Sequence, residues 1–93
     1  MIQFLVHDTK DDVGVAVVDI AAGTHCVGRI LSNNKSLEAD ATQAIPLGHK
    51  IALRDFAVGE TVTKYDCPIG KVVQPIKAGQ HVHTQNLKTK RWA

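Results

Sequence analysis

Apolar residues in this chain cluster in short runs that each end at a glycine. Three segments share the pattern, namely 15–23, 51–59 and 72–79. Each contains a strand-like apolar run, a polar or proline break, a single apolar residue and then a glycine suited to a turn. Another apolar-rich run follows each glycine, at 24–31, 60–65 and 81–87. This repetition of strand, turn and strand predicts an all-β fold of short hairpins.

Helical periodicity is weak throughout the chain. Ser36 could cap a single helical turn over 36–41, but the preceding Ser32-Asn33-Asn34-Lys35 is typical of a loop. We therefore expect residues 32–44 to connect the first repeat to the second. Residues 88–93 read as a basic C-terminal tail, and the whole of 1–93 is expected to form one domain.

The composition excludes several classes of protein. With 93 residues, 44% of them hydrophobic and 22% charged, the chain has the profile of one small globular domain. Its apolar runs are far shorter than a membrane span, and the N-terminal residues do not resemble a signal peptide, so we expect a cytoplasmic protein with no membrane partner. Cys26 and Cys67 belong to no metal-binding or redox motif, which favours two buried or half-buried thiols.

Charge is distributed unevenly along the chain. The net charge is only +2, yet residues 1–45 carry an excess of acidic residues and residues 46–93 an excess of basic ones. A basic half suits an anionic ligand or an anionic partner surface. Nucleic acid is a poor candidate because the basic residues are scattered and only 4% of the residues are aromatic.

The histidines carry the possible chemistry. His81 and His83 lie two residues apart, so on a strand they would share one face with their Cα atoms about 6.6 Å apart, and Val82 would face the core. Such a pair could hold a divalent metal or an anionic substrate, or could simply face solvent. His49 follows Gly48 where a turn enters a strand, which suits either a binding residue or a hydrogen-bonded turn residue. His7 is expected to be structural or exposed, as is His25.

Two further pairs of side chains have a chemical and a structural interpretation. Lys50 and Lys64 lie within predicted strands and could attract a carboxylate or sulfonate, although basic strand residues most often form solvated faces. Asp19 and Asp55 occupy equivalent positions in two repeats. That equivalence favours a shared role in capping turns over a catalytic pair.

Several ordered motifs of the chain closely resemble the small SAF module of altronate and galactarate dehydratases. The resemblance covers essentially the whole chain and is carried by residues 12–23, by Ile45-Pro46-x-Gly48-His49-Lys50-Ile51-Ala52-Leu53-Arg54-Asp55, by Gly59-Glu60-x-Val62-x-Lys64-Tyr65, by Ile69-Gly70, and by Gly79-x-His81-Val82-His83-x-x-Asn86. The fold that this resemblance implies is a β-clip of short strands.

The resemblance also implies an activity. A separate chain of this size is similar to the small subunit of a two-component lyase, which would release sulfite from 3-sulfolactate by β-elimination to give pyruvate. The alternative within the family is the small subunit of a hydro-lyase that removes water from a sugar acid such as altronate. A third interpretation is a non-catalytic SAF binding module, because a fold alone does not determine activity.

The matching motifs assign candidate roles to individual residues. His49, His81 and His83 would face a shared catalytic site, with His81 and His83 as metal ligands. Lys50, Lys64 and Asn86 would contact a small anionic substrate. The implied cofactor is a divalent metal of the iron type, held mainly by a larger partner subunit. These assignments rest on the resemblance, and the chain by itself is expected to be inactive.

Overall fold

The fold is built entirely from short strands in the part of the chain that the structure describes. The structure is a computed structural model that describes residues 2–64, 67–83 and 87–89. Within these ranges it contains no helix, and hence none able to span a membrane. The strands are β1 (Phe4–Val6), β2 (Val13–Ala16), β3 (His25–Ile30), β4 (Ser36–Asp40), β5 (Lys50–Ala52), β6 (Thr61–Lys64), β7 (Cys67–Val72), β8 (His81–Val82) and β9 (Leu87–Thr89). The prediction of an all-β fold is confirmed.

The strands form two sheets. The larger has the order β4-β3-β1-β2-β5-β8, and the smaller has the order β6-β7-β9. Strands β1 and β3 are parallel, whereas the other paired strands are antiparallel. The larger sheet ends at β8, so this short histidine-bearing strand is an edge strand in the described part of the chain.

A single type of turn is used four times. In each copy the backbone N–H of the fourth residue donates to the carbonyl of the first at 2.9–3.2 Å. The third residue is a glycine with a φ between 84° and 94°, the left-handed conformation that type II turns require at this position. The four turns are Ala21-Ala22-Gly23-Thr24, Pro46-Leu47-Gly48-His49, Ala57-Val58-Gly59-Glu60 and Lys77-Ala78-Gly79-Gln80. The repeat pattern predicts three of these, and the turn expected at Gly48 before His49 proves to be a fourth copy of the same type.

One buried residue precedes each turn, and these residues pair across the fold. Ile20 forms an antiparallel bridge with Ile45, and Phe56 forms one with Ile76. All four are at most 4% exposed. In each bridge both backbone N–H groups donate to the opposite carbonyl at 2.8–3.0 Å. The four turns are therefore joined as two pairs, each held by a reciprocal hydrogen-bonded bridge beneath it.

Aspartates reinforce the two pairs from the side. Asp19 Oδ1 accepts the backbone N–H of Leu47 at 2.8 Å, and Asp55 Oδ1 accepts that of Ala78 at 2.8 Å. Each aspartate precedes the buried residue of one turn and caps the opposite turn of its pair. The expectation that Asp19 and Asp55 have a shared capping role agrees with this geometry.

Each pair of turns covers its own apolar cluster. One cluster contains Phe4, Val6, Ala16, Ile20, Cys26, Ala41, Ile45 and Ile51. The other contains Val13, Ala52, Phe56, Val62, Val72, Ile76, Val82 and Leu87. Strands β2 and β5 contribute residues to both clusters because successive side chains point to opposite faces of a sheet. These two strands therefore form the boundary between the halves of the core.

Phe4 of the first cluster packs where the two neighbouring strands carry glycines. Its ring is fully buried and lies over Gly14 of β2 and Gly28 of β3. A Cβ atom at Gly28 would overlap the ring of Phe4, which is its register partner across β1 and β3. Glycine at 28 therefore serves close packing within the sheet.

Two expectations about the connections need correction. Residues 36–40 lie inside the segment 32–44 expected to be a connecting loop or a helical turn, but they form strand β4 and pair along their whole length with β3. The side chains of β4 alternate between exposed and half-buried, so they supply little apolar signal. At the other end, the expected tail over 88–93 begins within β9, and residues 90–93 lie outside the described part of the chain.

The contact between Phe4 and Gly28 yields a stability prediction. We expect Gly28→Ala to lower the free energy of unfolding by about 1–3 kcal/mol, the usual cost of overpacking a core. Urea denaturation followed by circular dichroism would measure it. Because Phe4→Leu shortens the opposing side chain, the double variant should lose less stability than the sum of the two single changes. Strict additivity would show that the two residues do not compete for the same space.

Candidate functional site

Pairing between β5 and β8 brings the three candidate histidines together. The strands are antiparallel, with Lys50 opposite Val82 and Ile51 opposite His81. Extending this register by one residue places His49 opposite His83. Residues directly opposite each other in an antiparallel pair share a face, as do residues two apart on one strand. The register therefore puts all three imidazoles on one face, and Val82 is fully buried on the other, as predicted.

The three rings form a compact stack. His49 Nδ1 lies 2.8 Å from His81 Nε2, so one of these nitrogens carries a hydrogen and donates a hydrogen bond to the other. The ring centroids of His49 and His83 are 4.1 Å apart, and those of His81 and His83 are 5.6 Å apart with the planes only 10° from parallel. His49 and His81 are half-buried and His83 is exposed. We call these three residues the histidine cluster.

The turn that carries His49 differs from the other three in how its fourth residue is used. In the other turns this side chain bonds to the first residue of its own turn: Thr24 donates to a carbonyl, while Glu60 and Gln80 accept a backbone N–H. Here the first residue is Pro46, which has no N–H to offer. His49 is directed instead to His81, and the turn thereby supplies a side chain to the site.

Gln43 holds the other strand of the cluster in place. Its Oε1 accepts the backbone N–H of His81 at 3.0 Å, and the adjacent Thr42 N–H donates to the carbonyl of Gly79 at 2.9 Å. Gly79 is packed so closely on the backbone carbonyl of Asp40 that no side chain would fit there. The segment that leads to the turn at Gly48 is thus bound to the segment that enters β8. These contacts fix His49 and His81 relative to each other.

The environment of His81 and His83 favours the neutral form of both imidazoles. The pKa of His81 is lowered from its ordinary value of 6.5, mainly by burial and then by the charges that His49 and His83 would carry. The pKa of His83 is also lowered, by burial and by the proximity of His49 and Lys50. Neutral imidazole can bind a metal or accept a proton, whereas imidazolium can do neither.

The geometry fits a metal ion. One ligand atom from each histidine can be chosen such that all three lie within 4.8 Å of one another. Nitrogens bound to one zinc-like or iron-like cation at about 2.1 Å are separated by about 3.0–3.4 Å at tetrahedral or octahedral angles. Small side-chain rotations would therefore bring the cluster to a coordinating geometry. Three imidazoles leave room in the coordination sphere for substrate or for ligands from another chain.

The remaining predicted site residues are placed differently. Lys50 is opposite the buried Val82, so its Cβ points away from the face of the cluster, although its charge still acts on His83. Lys64 ends β6 in the smaller sheet, which does not contain the cluster. Asn86 lies outside the described residues. The substrate-contacting roles of Lys50, Lys64 and Asn86 stay predictions.

His25 and Cys26 lie apart from the cluster on β3. His25 is exposed between two carboxylates, with Nε2 2.5 Å from Glu38 and Nδ1 2.5 Å from Asp40, and these contacts raise its pKa. Both ring nitrogens therefore donate, and His25 is an ion-paired surface residue, in agreement with the expectation. Cys26 is fully buried and burial raises the pKa of its thiol, which makes it unreactive. The structure does not describe the side chain of Cys67.

Comparison with known proteins establishes the relationship of the chain. Residues 2–90 match the family model of the altronate/galactarate dehydratase SAF domain. The chain belongs to this SAF family. The family resemblance predicted from the motifs is thereby confirmed, and it agrees with the all-β architecture.

Three relatives define the similarity more closely. The chain is 50% identical over 92 residues to the (2R)-sulfolactate sulfo-lyase subunit alpha of Chromohalobacter salexigens, covering 98% of each chain. It is 48% identical over 63 residues to the protein of the same name in Paracoccus pantotrophus, covering 68% of this chain and 94% of the relative. The altronate dehydratase of Escherichia coli strain K12 is 38% identical over 87 residues, which are 94% of this chain but 16% of that enzyme.

Sequence reasoning found the three histidines but missed the residues that position them. Pro46 opens the turn at Gly48, whose Ile45-Pro46-Leu47-Gly48 has the same apolar-x-x-Gly spacing as the other copies, and Gln43 lies three residues before Pro46. Aligning this copy with the other three would have shown that a proline and a histidine replace the residues that cap the turn. That substitution pattern is the signal for the site.

The pKa shifts predict the order in which the histidines titrate. In the metal-free chain we expect His81 and His83 to become protonated below pH 6.5, and His25 to stay protonated above it. Below pH 6.5 the unfolded chain therefore binds protons at His81 and His83 more readily than the folded chain does. Acidification through this range lowers the free energy of unfolding. The ion pairs of His25 stabilise the fold fully below that pH and lose their effect as the pH rises through the folded pKa. Nitrogen-15 NMR titration of the imidazoles would measure this, and titration of His81 or His83 above His25 would contradict it.

Proposed function

We propose that this chain is the small subunit of a (2R)-sulfolactate sulfo-lyase and works with a larger catalytic subunit. The observation that carries the proposal is 50% identity to a sulfo-lyase alpha subunit across 98% of both chains. A cluster of three histidines whose ligand atoms converge supports a role in catalysis over a purely structural one. The cytoplasmic location expected from the sequence is part of this proposal.

The reaction is a β-elimination. The proton on the carbon that bears the carboxylate and hydroxyl of sulfolactate passes to a base, and the electrons of that C–H bond form the new double bond. The C–S bond of the neighbouring carbon breaks, sulfite leaves with its electron pair, and the enol that remains tautomerises to pyruvate. The proton is weakly acidic, so the step needs a base and stabilisation of the negative charge that develops on the carboxylate.

The histidine cluster can meet both needs. We assign His81 and His83 to holding a divalent cation of the iron type, with the remaining ligands from the larger subunit. Such an ion, when bound, would stabilise the developing charge as a Lewis acid. His49 is assigned to proton transfer because its Nδ1 is hydrogen-bonded to His81 at 2.8 Å and therefore has a fixed orientation. Lys50 would add positive charge near the anionic substrate.

A sugar-acid dehydratase is the second candidate. The same elimination releases water when the neighbouring carbon carries a hydroxyl group, and an altronate dehydratase is 38% identical over 94% of this chain. Its lower identity ranks it second. A non-catalytic binding module ranks third, because such a module would not require His49, His81 and His83 in one cluster.

Substitutions in the histidine cluster distinguish a metal-ligand role from a role as the catalytic base. In the assembled enzyme, His81→Ala and His83→Ala are each expected to lower turnover at least tenfold and to reduce the bound metal measured by plasma mass spectrometry. His49→Ala should lower turnover comparably while the metal is retained. The matched control is His25→Ala, which removes an exposed imidazole on another strand and should change neither quantity. Unchanged turnover in the His81 and His83 variants would remove them from the site.

Isolation of the complex tests the function itself. The purified chain alone is expected to release no sulfite from (2R)-sulfolactate, since its described residues supply the cluster with three imidazoles and leave His83 exposed. The tagged chain isolated from its native cells is expected to bring a larger chain in stoichiometric amount, and the complex should form sulfite and pyruvate in equal amounts. Release of water from altronate without sulfite formation would favour the dehydratase instead. Absence of a larger chain would favour the binding module.

A further inference from the structure

We propose that the turn Pro46-Leu47-Gly48-His49 is the docking point for the larger subunit, with Leu47 as its apolar anchor and Val17 beside it. This inference rests on the proposed function, because it needs a larger subunit as partner. It goes beyond that function in naming the surface of this chain that the partner covers.

Leu47 and Val17 are exposed apolar residues on stretches of chain that lie next to His49. Leu47 is 60% exposed and Val17 is 38% exposed. Ala16, which precedes Val17, exchanges backbone hydrogen bonds with Gly48 and His49 at 2.8 and 2.9 Å, so the two apolar residues lie on adjacent stretches of chain. The Cα of Leu47 can be no more than about 7 Å from that of His49, two residues later.

The histidine cluster needs a cover that this chain does not supply among its described residues. His83 is exposed, and the other two histidines are only half-buried. An elimination that develops charge is favoured by a site from which water is excluded. A partner that completes the coordination and encloses the substrate must therefore contact the edge on which His49 lies. Leu47 is the exposed apolar side chain in the turn that forms this edge.

A turn of the same type in the other half of the molecule, Ala57-Val58-Gly59-Glu60, shows why turn position alone does not make a docking point. Val58 occupies the same turn position as Leu47 and is 59% exposed. A surface cavity of about 370 Å³ beside it is lined by residues that include Asp55, Glu60 and Lys77. A second cavity, of about 240 Å³, adjoins the Leu47 turn at Pro46 and is lined by Asp19, Ile20, Ala44, Ile45 and Pro46.

The charge difference between the two surfaces favours Leu47. Asp19 is the charged residue of the smaller cavity, and its carboxylate already accepts the Leu47 N–H. Charged residues are depleted at the centres of protein interfaces, where they would have to lose water. The Leu47 turn therefore presents a mostly apolar surface next to the cluster, whereas the Val58 turn presents charges and ends in Glu60.

A matched pair of variants tests the docking point. Leu47→Asp and Val58→Asp introduce the same charge at the same position of the same type of turn, at equal exposure. The dissociation constant between each variant and the purified larger subunit would be measured by isothermal titration calorimetry. We expect Leu47→Asp to weaken binding at least tenfold and Val58→Asp to change it less than twofold. Val17→Asp should weaken binding in the same direction as Leu47→Asp.

The readouts distinguish failure of this inference from failure of the proposed function. Nitrogen-15 NMR of the imidazoles should show that the histidine cluster is intact in all three variants, so that lost binding reports the interface and not misfolding. If Leu47→Asp binds like the wild type, or if Val58→Asp is equally impaired, the docking point is overturned while the lyase assignment stands. If the wild-type chain binds no larger subunit, the proposed function fails and the docking point fails with it.

Discussion

The antiparallel bridges between the buried residues of paired turns are the constraint on which the rest of the structure depends. Ile20 with Ile45, and Phe56 with Ile76, each exchange two backbone hydrogen bonds at full burial. Backbone groups removed from water must be paired, so these bridges allow the chain to carry irregular segments through its core. They also fix the direction in which each strand leaves its turn. Strands as short as β5 and β8 could not define that direction alone.

This arrangement separates stability from function within one repeated unit. Three of the four turns use their fourth residue to cap themselves, and the aspartates cap two turns from the opposite side. The turn at Gly48 is one of those held from outside, through Asp19. It can therefore do without capping by its own fourth residue, and Pro46 removes the N–H that such capping would use. His49 is available for chemistry because another residue stabilises its turn.

The sequence predicted the all-β fold, the turns at Gly23, Gly59 and Gly79, and the burial of Val82, because these depend on local patterns. It missed strand β4, whose Ser36-Leu37-Glu38-Ala39-Asp40 packs only half-buried side chains and derives its order from pairing with β3. For the site, the spacing of His81 and His83 indicated a shared face. Spacing alone could not place His49 there, because this requires the register between β5 and β8, two strands separated by residues 53–80, and no local pattern encodes that register. The same register turned Lys50 to the other face.

The relation between this chain and the altronate dehydratase relative has a physical consequence for its surface. In the Escherichia coli enzyme the matching segment is 16% of one longer polypeptide. A segment joined covalently to the rest of its enzyme meets it at a high effective concentration, so a weak contact is sufficient to complete a shared site. The relative from Chromohalobacter salexigens is named a subunit, and a separate subunit must overcome the entropy of association and needs more favourable burial at the contact. Exposed apolar side chains such as Leu47 and Val17 are costly to leave in water, and burial against a partner would recover that cost. In the proposed complex, their position beside the histidine cluster means that the same contact would both stabilise the association and exclude water from the candidate site.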